Sequence, residues 1–308
     1  MNRQKLGQLV AALRKEHFDE DGNRLTQAKL AEKARQLDSQ TALNEIVIGK
    51  IERGERANLD DQTLLNLADS LALTIGERRA FFLLATGLDH EQIYPEPEYA
   101  PIILDKAVQM LADIQLPALL LDCYLDVIAV NSILLQLYQT TKLDLQNLAG
   151  KPAAFNLLRF IFSESFSPIR SQMSPQQWHN FAVGNVIYFR RTTLPHRMTV
   201  YFVHLLAQLR RQRDFRWFWE QVFYEEKRYF VGGESFQMGS PNIGRYRFLT
   251  APLVTLTPFG DLEIITHIPR DQETAAAFQH LAQQAPSAAL QLSTWPEKLP
   301  PNPGRPDK

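Results

Sequence analysis

The stretch Leu25–Gly54, LTQAKLAEKARQLDSQTALNEIVIGKIERG, constrains the fold more than any other part of the chain. It predicts two helices joined by a turn. Thr26 can cap a first helix bearing Leu30, Ala31 and Ala34, where small alanines at a crossing let two helices approach closely. Asn44 can cap a second, in which Ile48 and Ile51 stand on one face while Glu45, Ile46, Val47 and Lys50 lie largely elsewhere. The apolar pair anchors and the other set looks outward. Glu52-Arg53-Gly54 then stops the helix, with a basic residue in its last turn and a glycine able to take positive φ.

Helical spacing continues on both sides. Leu6, Leu9, Val10 and Leu13 give a first helix whose apolar stripe can pack on that pair. After Asp60, Leu64, Leu67, Ala68 and Leu71 give a fourth, and Thr74 with Glu77 has capping-box spacing ahead of Phe81, Phe82, Leu84 and Ala85. Residues 1–90 thus read as five short helices, and the proline-spaced segment 91–101 as a stiff linker.

A second domain is expected over residues 102–284. It opens with a helix from Ile102 to Ile114, followed by the apolar runs Pro117–Asp122 and Val127–Asn131, which form a hairpin. From Ala154 to Phe223 the chain is helical and rich in aromatics. Strands follow: Phe230-Val231, Tyr246 and Phe248 alternating with arginines, and Leu253–Thr257 paired with Leu262–Ile268 around Pro258-Phe259-Gly260-Asp261. A helix spans Asp271–Gln284, and 285–308 is expected to be a flexible tail.

Bulk properties narrow the function classes. The 308 residues suit two domains, and 45% hydrophobic with 22% charged residues is ordinary for a globular chain. A formal net charge of −1 means that any affinity for nucleic acid must come from a local patch. The single Cys123 excludes an intramolecular disulfide and a CxxC metal knuckle, and the absence of a signal peptide or a long apolar run argues for a cytoplasmic protein away from membranes. The seven histidines never form HxH or HExxH, and no GxSxG, Walker loop or GxGxxG occurs, so neither an enzyme nor a metal or cofactor site is expected.

Leu25-Thr26-Gln27, Leu30-Ala31-Glu32 and Ile48 with Ile51-Glu52-Arg53-Gly54 resemble the helix-turn-helix of the Xre and phage-repressor family. Two loops depart from it: Ala34–Leu43 is longer than that family's tight turn, and Asp19–Asn23 is enlarged. The resemblance implies double-stranded DNA as partner. Asn44, Glu45, Ile46, Val47 and Lys50 would then face base edges, while Gln27, Lys29, Arg53 and Arg56 would hold phosphates. In proteins resembling this one, the arginine at the place of Arg14 pairs with the glutamate matching Glu52. A homodimer on a pseudo-palindromic site is the expected form.

Leu116-Pro117-Ala118, Asn131, Asn156-Leu157-Leu158 with Phe160 and Phe162, Phe215 with Trp219, and Gly244 leading into strands resemble the MmyB-like regulators. That resemblance implies an all-α, five-helix, lambda-repressor-like domain followed by an α+β PAS-like domain with an antiparallel sheet and flanking helices. It further implies a hydrophobic ligand, either a fatty-acid-like acyl chain or a flat hydrophobe. Phe160, Trp178, Phe181, Phe189, Phe202, Leu206, Phe218, Trp219 and Phe248 would line its site, with Asn185, Arg190 or His204 orienting a head group. The second domain and its first helix would carry the dimer surface. The alternative reading is an interaction module whose helical domain binds a partner protein.

Overall fold

Five helices carry the first unit: α1 (Arg3–Glu16), α2 (Gln27–Leu37), α3 (Glu45–Glu52), α4 (Asp61–Ser70) and α5 (Ile75–Thr86). The computed structural model describes residues 3–19, 22–55, 59–86, 99–141, 144–145, 153–222, 236–240, 244–257 and 259–298. Each start has its local cause. Thr26, Asn44 and Asp60 accept from Lys29 N, Val47 N and Thr63 N, satisfying amides that a helix leaves open at its first turn. Thr74 and Glu77 form the expected capping box, with Thr74 N donating to Glu77 Oε2 at 2.8 Å and Glu77 N to Thr74 Oγ1 at 3.3 Å. Gly54 takes φ of 72° at the end of α3, as a helix stop requires.

The apolar stripes meet in one core. Leu6, Leu9, Val10, Leu13, Leu30, Ala31, Ala34, Ile48, Ile51, Leu67, Ala68, Leu71 and Phe81 are all buried there, and Leu194 joins them. The two enlarged loops are held in place. The first closes as a small turn in which Phe18 bridges Arg24, and the second is tied to α4 by Asn66 Nδ2, which donates to Asp38 Oδ2 at 2.9 Å and Thr41 Oγ1 at 2.8 Å.

The second unit holds α6 (Ala100–Asp113), β1 (Ala118–Asp122), β2 (Val127–Asn131), α7 (Ser132–Leu137), α8 (Leu157–Ile161), most of α9 (Pro175–Thr193), most of α10 (Val200–Leu209), most of α11 (Arg213–Gln221), β3 (Phe236–Ser240), β4 (Gly244–Thr255), β5 (Leu262–Pro269), α12 (Gln272–Gln284) and β6 (Ala289–Gln291). The sheet is antiparallel at every pairing, in the order β3-β4-β5-β1-β2-β6. With its flanking helices it is the PAS-like α+β layout expected. Both expected hairpins form, β1 with β2 and β4 with β5, whereas Phe230-Val231 lies outside the described residues.

Two asparagines explain motifs that local pattern alone left unexplained. Asn131 caps α7 by accepting from Leu134 N at 2.9 Å, accepts Ala118 N at 3.1 Å, and donates to Ile114 O and Leu116 O. It therefore pins the entry to β1 against the exit of β2. Asn156 caps α8 and donates to Tyr124 O and Asp126 Oδ1 across the β1–β2 turn.

Two boundaries differ from the sequence expectation. Residues 285–308 are not a free tail throughout: β6 pairs with β2, Trp295 is buried against α6 and the sheet, and Lys298 Nζ contacts both Asp122 and Asp126. Apolar and ionic anchors spaced within a Pro-rich stretch escaped a reading based on composition. The segment Arg190–Val203, expected within 102–284, belongs to the first compact unit.

Candidate nucleic-acid interface and ligand site

A clamp positions the outward face of α3. Arg14 donates from Nε to Glu52 Oε1 at 2.6 Å and from Nη2 to Oε2 at 2.9 Å, with Nη1 on Leu25 O at 2.6 Å. Gln27 Nε2 donates to the same Glu52 Oε2 at 2.7 Å. One carboxylate thus ties the end of α1, the start of α2 and the end of α3. Both partners of the ion pair are largely buried, so it is not an exposed pair of negligible weight. Gly7 permits the close crossing: a Cβ there would meet Ile51 O at 2.4 Å and Glu52 O at 2.7 Å.

What the clamp presents is an open surface. Asn44, Glu45, Ile46 and Lys50 are exposed and Val47 is half-buried, while Ile48 and Ile51 point into the core. Ile46 is 70% exposed on a helix whose other isoleucines are buried. The flanking cations are engaged within the chain: Lys29 Nζ lies 2.7 Å from Asp19 Oδ2 and Arg53 Nε 2.7 Å from Glu55 Oε1. Gln27 is held by Glu52, and Arg56 lies outside the described residues.

In the second unit the helices converge on an aromatic cluster. Phe162 meets Trp178, Phe215 and Phe218 at ring-centre distances of 5.8, 5.5 and 5.9 Å. Phe166 stacks on Phe181, and Phe189 and Phe215 both lie against Trp219. Trp178, Phe181, Phe189, Phe218 and Trp219 therefore come together as expected, and Phe162, Phe166 and Phe215 join them. The helical spacing of Phe162 and Phe215 was visible in the sequence; which face they turned was not, and Phe166 gave no signal.

Other expected lining residues part company. Phe160 is 45% exposed and touches only the edge of the cluster at Phe166. Phe248 stacks on His267 and Tyr246 and packs with Phe278 and Leu281, in a separate core. Phe202 and Arg190 lie in the first unit, whereas Leu206 is buried in the second. Among the polar candidates, Asn185 Nδ2 donates back to Phe181 O at 2.8 Å, and Arg190 is bound to Glu77. His204 keeps a buried Nε2 without a hydrogen-bond partner.

Sequence reasoning missed a polar row on β5. Glu263 and His267 are two pleats apart, so they share a face with Ile265. The Tyr188 hydroxyl donates to Glu263 Oε2, and His267 Nε2 lies 3.3 Å from the Tyr138 hydroxyl. Burial pushes the Glu263 carboxyl up to about 7 and holds the His267 imidazole down at about 3. Near neutrality, this face offers a carboxyl close to its titration point and an uncharged imidazole among apolar neighbours. A period-two strand pattern with a glutamate at an inward position was the signal available.

Among the described residues no group of three or more His, Cys, Asp or Glu could hold a metal ion, and no helix is long and apolar enough to cross a membrane. No curated protein matches the chain. The model of the MmyB-like transcription regulator ligand binding domain matches residues 104–281, more than half of the chain, from within α6 to within α12. The chain belongs to the MmyB-like transcription regulator family.

Proposed function

We infer that this chain is a sequence-specific, double-stranded-DNA-binding transcription regulator, acting as a homodimer, whose DNA affinity is set by a hydrophobic small molecule in the PAS-like domain. The observation that carries the DNA reading is the outward face of α3, Asn44 to Lys50, exposed on a helix that Arg14 and Glu52 fix from behind. Glu45 can accept from cytosine N4, Ile46 and Val47 can meet a thymine methyl, and Lys50 can reach guanine O6 or N7. With a net charge of −1, phosphate contacts must be few and local, so base contacts at this face carry much of the affinity.

The aromatic interior around Phe162 and Trp178 supports a fatty-acid-like acyl chain or a flat hydrophobe, with His204 or the Glu263–Tyr188 pair meeting its polar end. A ligand acts only by binding the DNA-competent and incompetent forms differently. Selection of duplexes from a random pool, followed by a salt series on the winner, tests the DNA reading: a sequence preference and a falling log K with log salt are expected, and no binding at low salt would overturn it. Native mass spectrometry of the purified chain with added dodecanoate tests the ligand class, where a bound adduct is expected and an adduct-free spectrum counts against an acyl chain.

A further inference from the structure

Glu77 is fully buried in the first unit, at the N-terminal turn of α5. Its carboxylate is met by Arg190 Nε at 3.1 Å on Oε1, by Arg190 Nη2 at 3.2 Å on Oε2, and by Arg197 Nη2 on Oε1. Arg197 also donates to Glu16 Oε2 of α1 at 3.0 Å and to Arg190 O at 2.8 Å, and both arginines are themselves buried. Leu194 lies between them in sequence and is buried in the core of the five helices. At Gly76 a Cβ would meet Arg191 Cδ at 2.7 Å, so this glycine makes room for the same segment.

These side chains come from Arg190–Val203, which lies inside the stretch matching the ligand-binding domain, residues 104–281, yet is part of the first compact unit. The helix that delivers them, α9, carries Phe189 in the aromatic cluster and Tyr188 on Glu263 immediately before Arg190. Successive residues of a helix differ by about 1.5 Å in rise and about 100° in direction, so a rotation or slide of α9 that repacks Phe189 also displaces Arg190. The carboxylate cannot follow half-way. A buried charge that loses one of its partners is strongly destabilised, whereas a complete cluster is tolerated, which makes the arrangement two-state.

We propose that Arg190–Val203 is the output segment of the ligand-binding domain: it completes the core of the helix-turn-helix unit, and occupancy of the aromatic interior is read by whether Arg190 and Arg197 keep Glu77 covered. Glu77 reaches the DNA-reading face through α1, because Arg197 holds Glu16 and Arg14, two residues earlier on the same helix, holds Glu52 at the end of α3. The proposal rests on the ligand-controlled, DNA-binding reading above and assigns its transmission path.

The test uses the full chain with dodecanoate as probe and the duplex obtained by selection. In Arg190→Met/Arg197→Leu, amide hydrogen exchange in α1 and α5 is expected to speed at least tenfold while β1 and β5 stay within twofold of wild type. In Glu77→Met/Arg190→Met/Arg197→Leu, the Glu77 charge is removed together with both arginines that cover it, so no unpaired carboxylate is left at Glu77 and the unit folds. The ratio of duplex affinities with and without dodecanoate is then expected to fall to one although dodecanoate still binds. Exchange in α1 and α5 unchanged in the double variant, or a wild-type affinity ratio in the triple variant, would overturn the proposal. A wild-type chain that binds no duplex defeats the regulator reading instead. The exchange arm then decides: dodecanoate altering α5 exchange in wild type but not in the triple variant sustains the path, and equal responses in both sink it. Should wild type take up no dodecanoate, the double variant's exchange pattern alone is decisive.

Discussion

Arg14 and Glu52 form a two-pronged ion pair, 2.6 and 2.9 Å, that joins α1 to the end of α3 with both side chains largely out of water. Arg14→Met leaves the Glu52 carboxylate with the Gln27 amide, donating at 2.7 Å, in place of its ion pair. Breaking one partner of such a pair is expected to cost about 2–4 kcal/mol, read by urea unfolding of the first unit. A double-mutant cycle with Glu52→Gln should give a coupling above about 1 kcal/mol; additive losses would reduce the clamp to an incidental contact.

Ile46 and Lys50 should separate readout from stability. Both are exposed on α3, so Ile46→Ala and Lys50→Ala are expected to leave the unfolding midpoint within about 0.5 kcal/mol. Each should weaken binding to the selected duplex by about 1–3 kcal/mol if it meets a base. Fluorescence anisotropy on matched and shuffled duplexes measures the difference, and equal losses on both duplexes would move Lys50 to a phosphate role.

Gly7→Ala is expected to destabilise the first unit by about 1–3 kcal/mol, although alanine favours helices, because the added methyl lands 2.4 Å from the Ile51 carbonyl oxygen. Thermal unfolding of the variant checks this. A stabilised variant would mean that α1 and α3 do not cross so closely.

Acid should loosen the first unit over a defined window. Burial, with Arg190, Lys33 and Arg197 nearby, lowers the folded His17 pKa from 6.5 to about 3. Above pH 6.5 neither state is protonated; below it the unfolded chain takes the proton first, so stability falls until about pH 3. Burial would raise the Glu77 carboxyl, but Arg190 and Arg197 outweigh it and hold it at about 2, so Glu77 adds a loss of the same sign between pH 4.5 and 2. Glu263 runs the other way: its folded pKa of about 7 gives a contribution that is full below 4.5 and lost as pH rises to about 7. Urea midpoints from pH 7.5 to 4, compared between wild type and His17→Gln, should show the acid loss smaller in the variant by about 3 kcal/mol.

Lys298→Met should steepen a pH response in the second unit. Burial pushes the Asp122 carboxyl up to about 6 against the pull of Lys298, and Asp126 lies 2.8 Å from the same ammonium. Without that cation Asp122 favours the proton in the folded state still more strongly. The variant is expected to lose about 2–4 kcal/mol at neutral pH and to recover part of it as pH falls towards 5, measured by chemical unfolding. Loss without recovery would assign the effect to packing over Tyr124, whose ring centre lies 5.7 Å from the ammonium.

Five helices, their caps at Thr26, Asn44 and Thr74, the Gly54 stop and the two hairpins were legible in the amino-acid sequence alone, because each follows from spacing and hydrogen bonding within a few residues. The same spacing sorts α3 into an inward pair and an outward face, since helical geometry alone decides which residues share a side. Partners far apart in the chain were beyond it. Glu77 looked fully explained by its capping box, yet the fold brings Arg190 and Arg197 onto the same carboxylate from 113 and 120 residues away. Phe160 and Phe162 carry the same aromatic signal, and only the packing of α8 left one half-exposed and put the other inside the cluster. Local hydrogen bonds and periodicity are set by neighbours along the chain; which buried charge needs which partner is set by desolvation, and that exists only once the core has closed.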